Sequence, residues 1–168
     1  KKYQTPLYHL DPIPDEELDQ MARGGFTGLW LIGLWERSQA SAQIKQLCGN
    51  PEAIASAYSL AGYSIAADLG GEEAYQNLRD RSWQRGIRLA SDMVPNHMGI
   101  DSRWVIDHPE WFISLDTSPF PSYSFTDPAL SPAPRVSINI EDHYYKRKEA
   151  ASDLKRYANA NPNPPFVT

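Results

Sequence analysis

The hydrophobic and polar positions between residues 15 and 94 predict a helix, a strand, a crossover helix and a second strand. Asp15-Glu16-Glu17-Leu18 through Met21-Ala22 follows Pro12 and Pro14, carries acids in its first turn and is ended by Gly24-Gly25. Gly28-Leu29-Trp30-Leu31-Ile32-Gly33-Leu34-Trp35 is an apolar run without alternation, the pattern of a strand buried on both faces of a parallel sheet. Residues 36 to 50 are polar and irregular, with a short helix expected around Ala42 to Leu47. Asn50-Pro51 offers an N-cap and a proline at the first helical position, so a turn or two of helix is expected from Glu52 to Ala57, delivering Tyr58 to a loop. Gly70-Gly71 and the acids Glu72-Glu73 open a helix that runs through Ala74 and Leu78 toward Trp83 and stops at Gly86. Ile87 to Val94 is the second strand. Strand, crossover and strand make a parallel, right-handed βαβ unit. The loop expected between Trp35 and Gly71 is long, and loops of that size inside compact domains are usually functional.

The most informative residues close the second strand: Asp92-Met93-Val94-Pro95-Asn96-His97. In an extended segment Asp92, Val94 and Asn96 share one side and Met93, Pro95 and His97 the other. Pro95 has no N–H to give a ladder, so the strand should end there and leave Asn96-His97 at its rim. The carboxyl ends of strands are where α/β architectures bind ligands. The same polar residues would also serve as simple caps of a strand end, and the motif alone leaves both readings open.

Beyond His97 the pattern changes. A short helical turn is expected at Asp101 to Trp104, followed by His108-Pro109-Glu110-Trp111-Phe112. Prolines and serines from Thr117 to Pro134 argue against regular structure, a strand is expected at Arg135 to Ile140, and the charged stretch His143 to Tyr157 reads as moderately helical. Asn159 to Pro165 resembles a linker. Glu141-Asp142-His143 reads as an exposed charged turn rather than a metal or acid–base site. His9 and His108 have no partners at ligand spacing. Trp30 and Trp35 are assigned to the buried strand, Trp83 to the crossover helix, and Trp104, Trp111 and Phe112 to packing, although a carbohydrate surface could also be built from these last three.

Composition narrows this picture. The chain has 168 residues, 41% of them hydrophobic, enough for one domain and its core. A net charge of -5 and no cluster of Lys or Arg argue against a nucleic-acid partner. No apolar run has the length of a membrane span, and no signal peptide is read at the start. The single cysteine, Cys48, excludes an internal disulfide and a CxxC metal site and reads as a small, at least half-buried apolar residue. A parallel sheet needs more than two strands and cover on both faces, so the expected architecture is a segment of a larger α/β fold.

Asp92-x-Val94-x-Asn96-His97 resembles the first signature motif of the α-amylase family, glycoside hydrolase family 13, which ends the third strand of a (β/α)8 barrel. Three further stretches are similar to that family in the same order. They are Gly24-Gly25-Phe26-Thr27-Gly28-Leu29-Trp30-Leu31, Tyr58-Ser59-Leu60-Ala61-Gly62-Tyr63 with Ile65, Asp68 and Gly70-Gly71, and Gly99-Ile100-Asp101-Ser102 with His108 to Phe112. The resemblance implies an α/β fold, a partial (β/α)8 TIM barrel from helix one to strand three over residues 1–97. A largely irregular insertion would occupy residues 98–168.

It also implies a retaining α-glucan hydrolase or transglycosidase acting through a glycosyl-enzyme intermediate, with an α-glucan or oligosaccharide as partner and neither nucleic acid nor membrane. Tyr58 would be an aromatic platform under a sugar ring, since its face stacks on sugar C–H bonds, or else a packing residue at a helix end. His97 would hydrogen-bond a hydroxyl of that sugar, and Asp92 would orient its neighbours. Asn96 would be either a loop cap or a ligand of a structural calcium, the one cofactor the resemblance offers. Ser59 and Gly62 depart from the family, which has acids at both positions. The catalytic carboxylates, which the family takes from later strands, have no counterparts here, so the chain alone is expected to be inactive and, with open sheet edges, to self-associate. The alternatives are a non-catalytic carbohydrate-recognition module derived from such an enzyme, or a flavodoxin-like domain. The latter would need a glycine-rich phosphate loop, and Trp35-Glu36-Arg37-Ser38 is not one.

Overall fold

The computed structural model describes residues 3, 6–118, 120–130, 136–145, 154–158 and 166–167. The linker expected at Asn159 to Pro165 lies outside them. Two compact units share the chain: Lys1–Glu36 with Tyr63–Pro95, and Arg37–Gly62 with Asn96–Thr168.

The first unit begins with α1 (Asp15–Arg23), whose acidic first turn complements the helix dipole and whose end is followed by Gly25 at φ 82. Strand β1 (Gly28–Leu31) pairs in parallel with β4 (Arg88–Ser91), Gly28 opposite Arg88 and Leu31 opposite Ser91. Helix α3 (Gly71–Trp83) lies between them in sequence. The expected parallel strand–helix–strand unit is therefore present.

Its strands are shorter than the apolar pattern predicts. The run from Gly28 to Trp35 is broken at Gly33, whose φ of 74 suits glycine and takes the chain out of the sheet. Trp35 then enters β2 (Trp35–Arg37), which pairs with β3 (Leu60–Ile65) instead. Nor is β1 buried on both faces: Trp30 is 68% exposed. Strand β4 stops at Ser91 and not at Pro95, because the backbone at Asp92 and Val94 is held by side chains rather than by a neighbouring strand. The core comprises Leu10, Leu18, Leu34, Ile65, Ala74 and Leu78, with Leu31, Trp35 and Leu89 against it.

The boundary between the units runs through β2 and β3. Beside it, Ala66 N–H donates to Leu34 O in the first unit and Ser38 N–H to Ser59 O in the second. Strand β3 was expected to be loop. In the second unit, α2 (Gln39–Leu47) begins earlier than the pattern suggests, capped by the Ser38 side chain. The helix expected from Glu52 to Ala57 is a single turn, closed by Ala53 N–H on Asn50 O.

Downstream, α4 (Arg103–Asp107) and a 3-10 turn (Pro109–Trp111) follow the expected order. A four-stranded antiparallel sheet comes next, made of β5 (Ser114–Leu115), β6 (Val136–Ile140), β7 (Leu154–Ala158) and β8 (Phe166–Val167) in the order β5-β8-β7-β6. Helix α5 (Asp142–Tyr145) covers only the start of the stretch expected to be helical, which ends instead in β7. Two apolar clusters fill this unit: Ala40, Leu130 and Ile140, and Val105, Val136 and Ile138. Among the described residues no helix is long and apolar enough to cross a membrane.

Candidate functional site

In the first unit the strand end is gripped by three aromatic side chains. Trp30 Nε1–H donates to Asp92 Oδ1 over 3.0 Å, and Trp35 Nε1–H to the Asp92 carbonyl over 2.7 Å. Tyr63 uses its hydroxyl twice, donating to Val94 O at 2.7 Å and accepting from Val94 N–H at 3.0 Å. Trp35 and Tyr63 meet edge to face, with centroids 5.4 Å apart. Asp92 is half-buried, and its second oxygen, Oδ2, is buried and has no hydrogen-bond partner among the described residues. That carboxylate oxygen is an unsatisfied acceptor with room in its chemistry for one donor.

In the second unit Tyr58 and His97 come together although 39 positions apart. His97 Nε2 lies 3.1 Å from the Tyr58 carbonyl oxygen. A carbonyl only accepts, so Nε2 carries the proton in this bond, and Nδ1 is left to accept from the Asn96 amide at 3.4 Å. The Tyr58 ring is 51% exposed, and Asn96 and His97 are exposed as well.

The Tyr58 loop is pinned from behind by Gly99 to Ser102. Gly99 N–H donates to Leu60 O at 2.6 Å, and the buried Ser102 hydroxyl to Ala61 O at 2.9 Å. Asp101 Oδ2 accepts from Ala40 N–H at 3.0 Å, tying the same segment to the start of α2. Gly99 has to be glycine, because a Cβ there would overlap Ser38 and come within 2.9 Å of Leu60 O.

The sequence pointed to Tyr58, Asp92, Asn96 and His97 and missed the side chains that hold them. The sequence assigns Trp30 and Trp35 to the buried strand; Trp35 does pack against the core and Trp30 is exposed, but each also spends its indole N–H on the Asp92 strand end, which no short-range pattern reveals across some sixty positions. Calcium takes six to eight oxygens. Asn96 offers one, and among the described residues no three His, Cys, Asp or Glu side chains converge on a metal-sized site.

Glu141 and Asp142 are not the exposed turn that their charge suggested. Glu141 is fully buried and Asp142 is 7% exposed. Burial opposes the charge on Asp142, but the Ser124 and Thr126 hydroxyls and the backbone N–H groups of Thr126 and Asp127 all donate to it and outweigh that cost, holding its pKa at about 2. The carboxylate organises the loop before β6. Asn139 continues the network, donating to Asp127 O and accepting from Ser137 Oγ. The side chain of His143 lies outside the described residues.

The family described as "Alpha amylase, catalytic domain" matches residues 14–151. No curated protein matches the chain significantly.

Proposed function

The chain belongs to the α-amylase catalytic-domain family, and from that premise we propose that it forms the sugar-binding wall of a retaining α-glucan hydrolase or transglycosidase. In this reading residues 1–97 are the early part of a (β/α)8 barrel, with β1 and β4 as its second and third strands, and residues 98–168 are the insertion that follows. The unpaired edges of the two-stranded sheet and the exposed Trp30 support an incomplete barrel.

The observation that carries the reading is the bond from His97 to the Tyr58 carbonyl. It joins the signature motif to the aromatic loop and leaves the Tyr58 ring exposed. A pyranose would lie on that ring through its C–H face. His97 steadies the loop through Nε2, and a sugar hydroxyl would reach its Nδ1 by displacing the longer 3.4 Å contact from the Asn96 amide. Asp92 is anchored by Trp30 within the first unit and would orient its own neighbours there.

None of these groups does the bond chemistry. A retaining glycosidase uses two carboxyl groups about 5 Å apart, one as nucleophile and one as acid. Those would come from strands other than β1 and β4, so the chain alone binds glucan without cleaving it.

Titration of the chain with maltotetraose, followed by NMR, tests the reading. Tyr58 and His97 signals shift, and Tyr58→Ala weakens binding about fivefold to tenfold. Perturbations that avoid both residues, or release of reducing sugar by the purified chain, would refute it. A non-catalytic carbohydrate-recognition module is the second reading, favoured by Ser59 and Gly62 where the family has acids. It predicts the same binding and no barrel-completing partner.

A further inference from the structure

We propose that Trp111, backed by His108, is an auxiliary platform for one pyranose ring of an α-glucan. The proposal rests on the α-glucan reading above and concerns side chains that reading does not use. The 3-10 turn Pro109–Trp111 divides its aromatic residues: Phe112, which follows, packs against the cluster of Val105, Val136 and Ile138, while Trp111 stands 62% exposed. Core packing accounts for Phe112 and leaves Trp111 unexplained.

The exposed indole is held rigidly. His108 lies parallel to it, with centroids 4.2 Å apart and planes 8° apart, and Trp104 meets it edge-on at 6.1 Å. His108 is itself fixed, its Nδ1–H donating to Glu110 Oε1 over 3.1 Å. With one face covered by the imidazole, the indole still stands 62% exposed and offers flat apolar surface. That fits a single sugar ring better than a protein surface, which would need a larger apolar area. The exposed Glu110 carboxylate beside it supplies an acceptor for hydroxyl groups.

Affinity electrophoresis of the chain through gels containing soluble amylopectin, with maltoheptaose as competitor, tests this. The chain should be retarded, Trp111→Ala should weaken the apparent affinity about fivefold to tenfold, and Trp111→Tyr should recover part of the loss. Circular dichroism and denaturation midpoints matching those of the unsubstituted chain separate lost binding from lost folding. Tyr58→Ala runs in parallel. Retardation lost in Tyr58→Ala and kept in Trp111→Ala overturns the platform and leaves the proposed function standing. Loss confined to Trp111→Ala supports the platform and counts against the Tyr58 wall. No retardation of the unsubstituted chain overturns the platform outright.

Discussion

Asp142 collects four hydrogen bonds from Ser124, Thr126 and Asp127 at a site only 7% exposed, and that arrangement fixes the direction of its pH dependence. Its folded pKa of about 2 is below the ordinary 3.8. The stability it contributes is therefore complete above about pH 5 and is lost as pH falls toward 2, an effect of about 2 kcal/mol. Asp142→Asn should destabilise the chain at pH 7 by about 2 kcal/mol, since its NH2 would face donors, and should flatten the fall in stability between pH 5 and 2. Urea midpoints across that range measure both; an unchanged slope would disprove the assignment. Tyr63→Phe tests another single atom. The lost hydroxyl frees both backbone groups of Val94, which should cost about 1 to 2 kcal/mol and speed hydrogen exchange at the Val94 amide. Neither role could be read from the sequence. Motif position singles out Tyr58 and His97 as candidates, whereas Tyr63 and Asp142 act through partners supplied by the fold, and a buried carboxylate looks like a surface one until its donors are known.

At the scale of elements, Arg81 on α3 joins the chain before α1 to the helix layer. Its guanidinium donates to Ile13 O at 2.6 Å and Asp11 O at 2.8 Å, pairs with Asp15 at 3.0 Å and reaches Asn77 within its own helix. These contacts use the planar fork, so Arg81→Ala should destabilise by about 2 kcal/mol and Arg81→Lys should restore little of it. Recovery of full stability by the lysine would reduce the contact to simple charge. The neighbouring Arg85 pairs with Asp19 at 2.6 Å, a bond that holds its pKa above the ordinary value. Helices were the legible elements here: acidic first turns and following glycines marked α1 and α3 correctly. Strands were less so. Hydrophobicity runs unbroken through the turn at Gly33, hiding the change of sheet between β1 and β2. Leu60-Ala61-Gly62-Tyr63-Ser64-Ile65 carries a glycine in its interior, which weakens the strand signal and hides β3. That strand depends on Gly99 and Ser102, which bind its first carbonyls from far along the chain.

At the scale of the whole molecule, the two-stranded parallel sheet of the first unit is the feature with the largest consequence. Parallel sheets are found covered on both faces, because their crossovers lay helices there and the remaining face packs inward. In this unit Leu29, Leu31 and Leu89 are half-buried, while Trp30 and, beyond the strand ends, Ile32 and Met93 are exposed, Met93 by 74%. So much apolar surface beside open strand edges favours association. The purified chain should scatter light as a species larger than one copy, in a concentration-dependent way. Ile32→Lys with Met93→Lys should shift it toward the monomer without lowering its helical content, since neither side chain belongs to the core. Strands from elsewhere in a barrel would do the same by covering the surface that the lysines merely make polar. A stable monomer for the unsubstituted chain at high concentration would mean that this sheet needs no further strands, and the barrel reading would then fail while the Tyr58–His97 pairing remained.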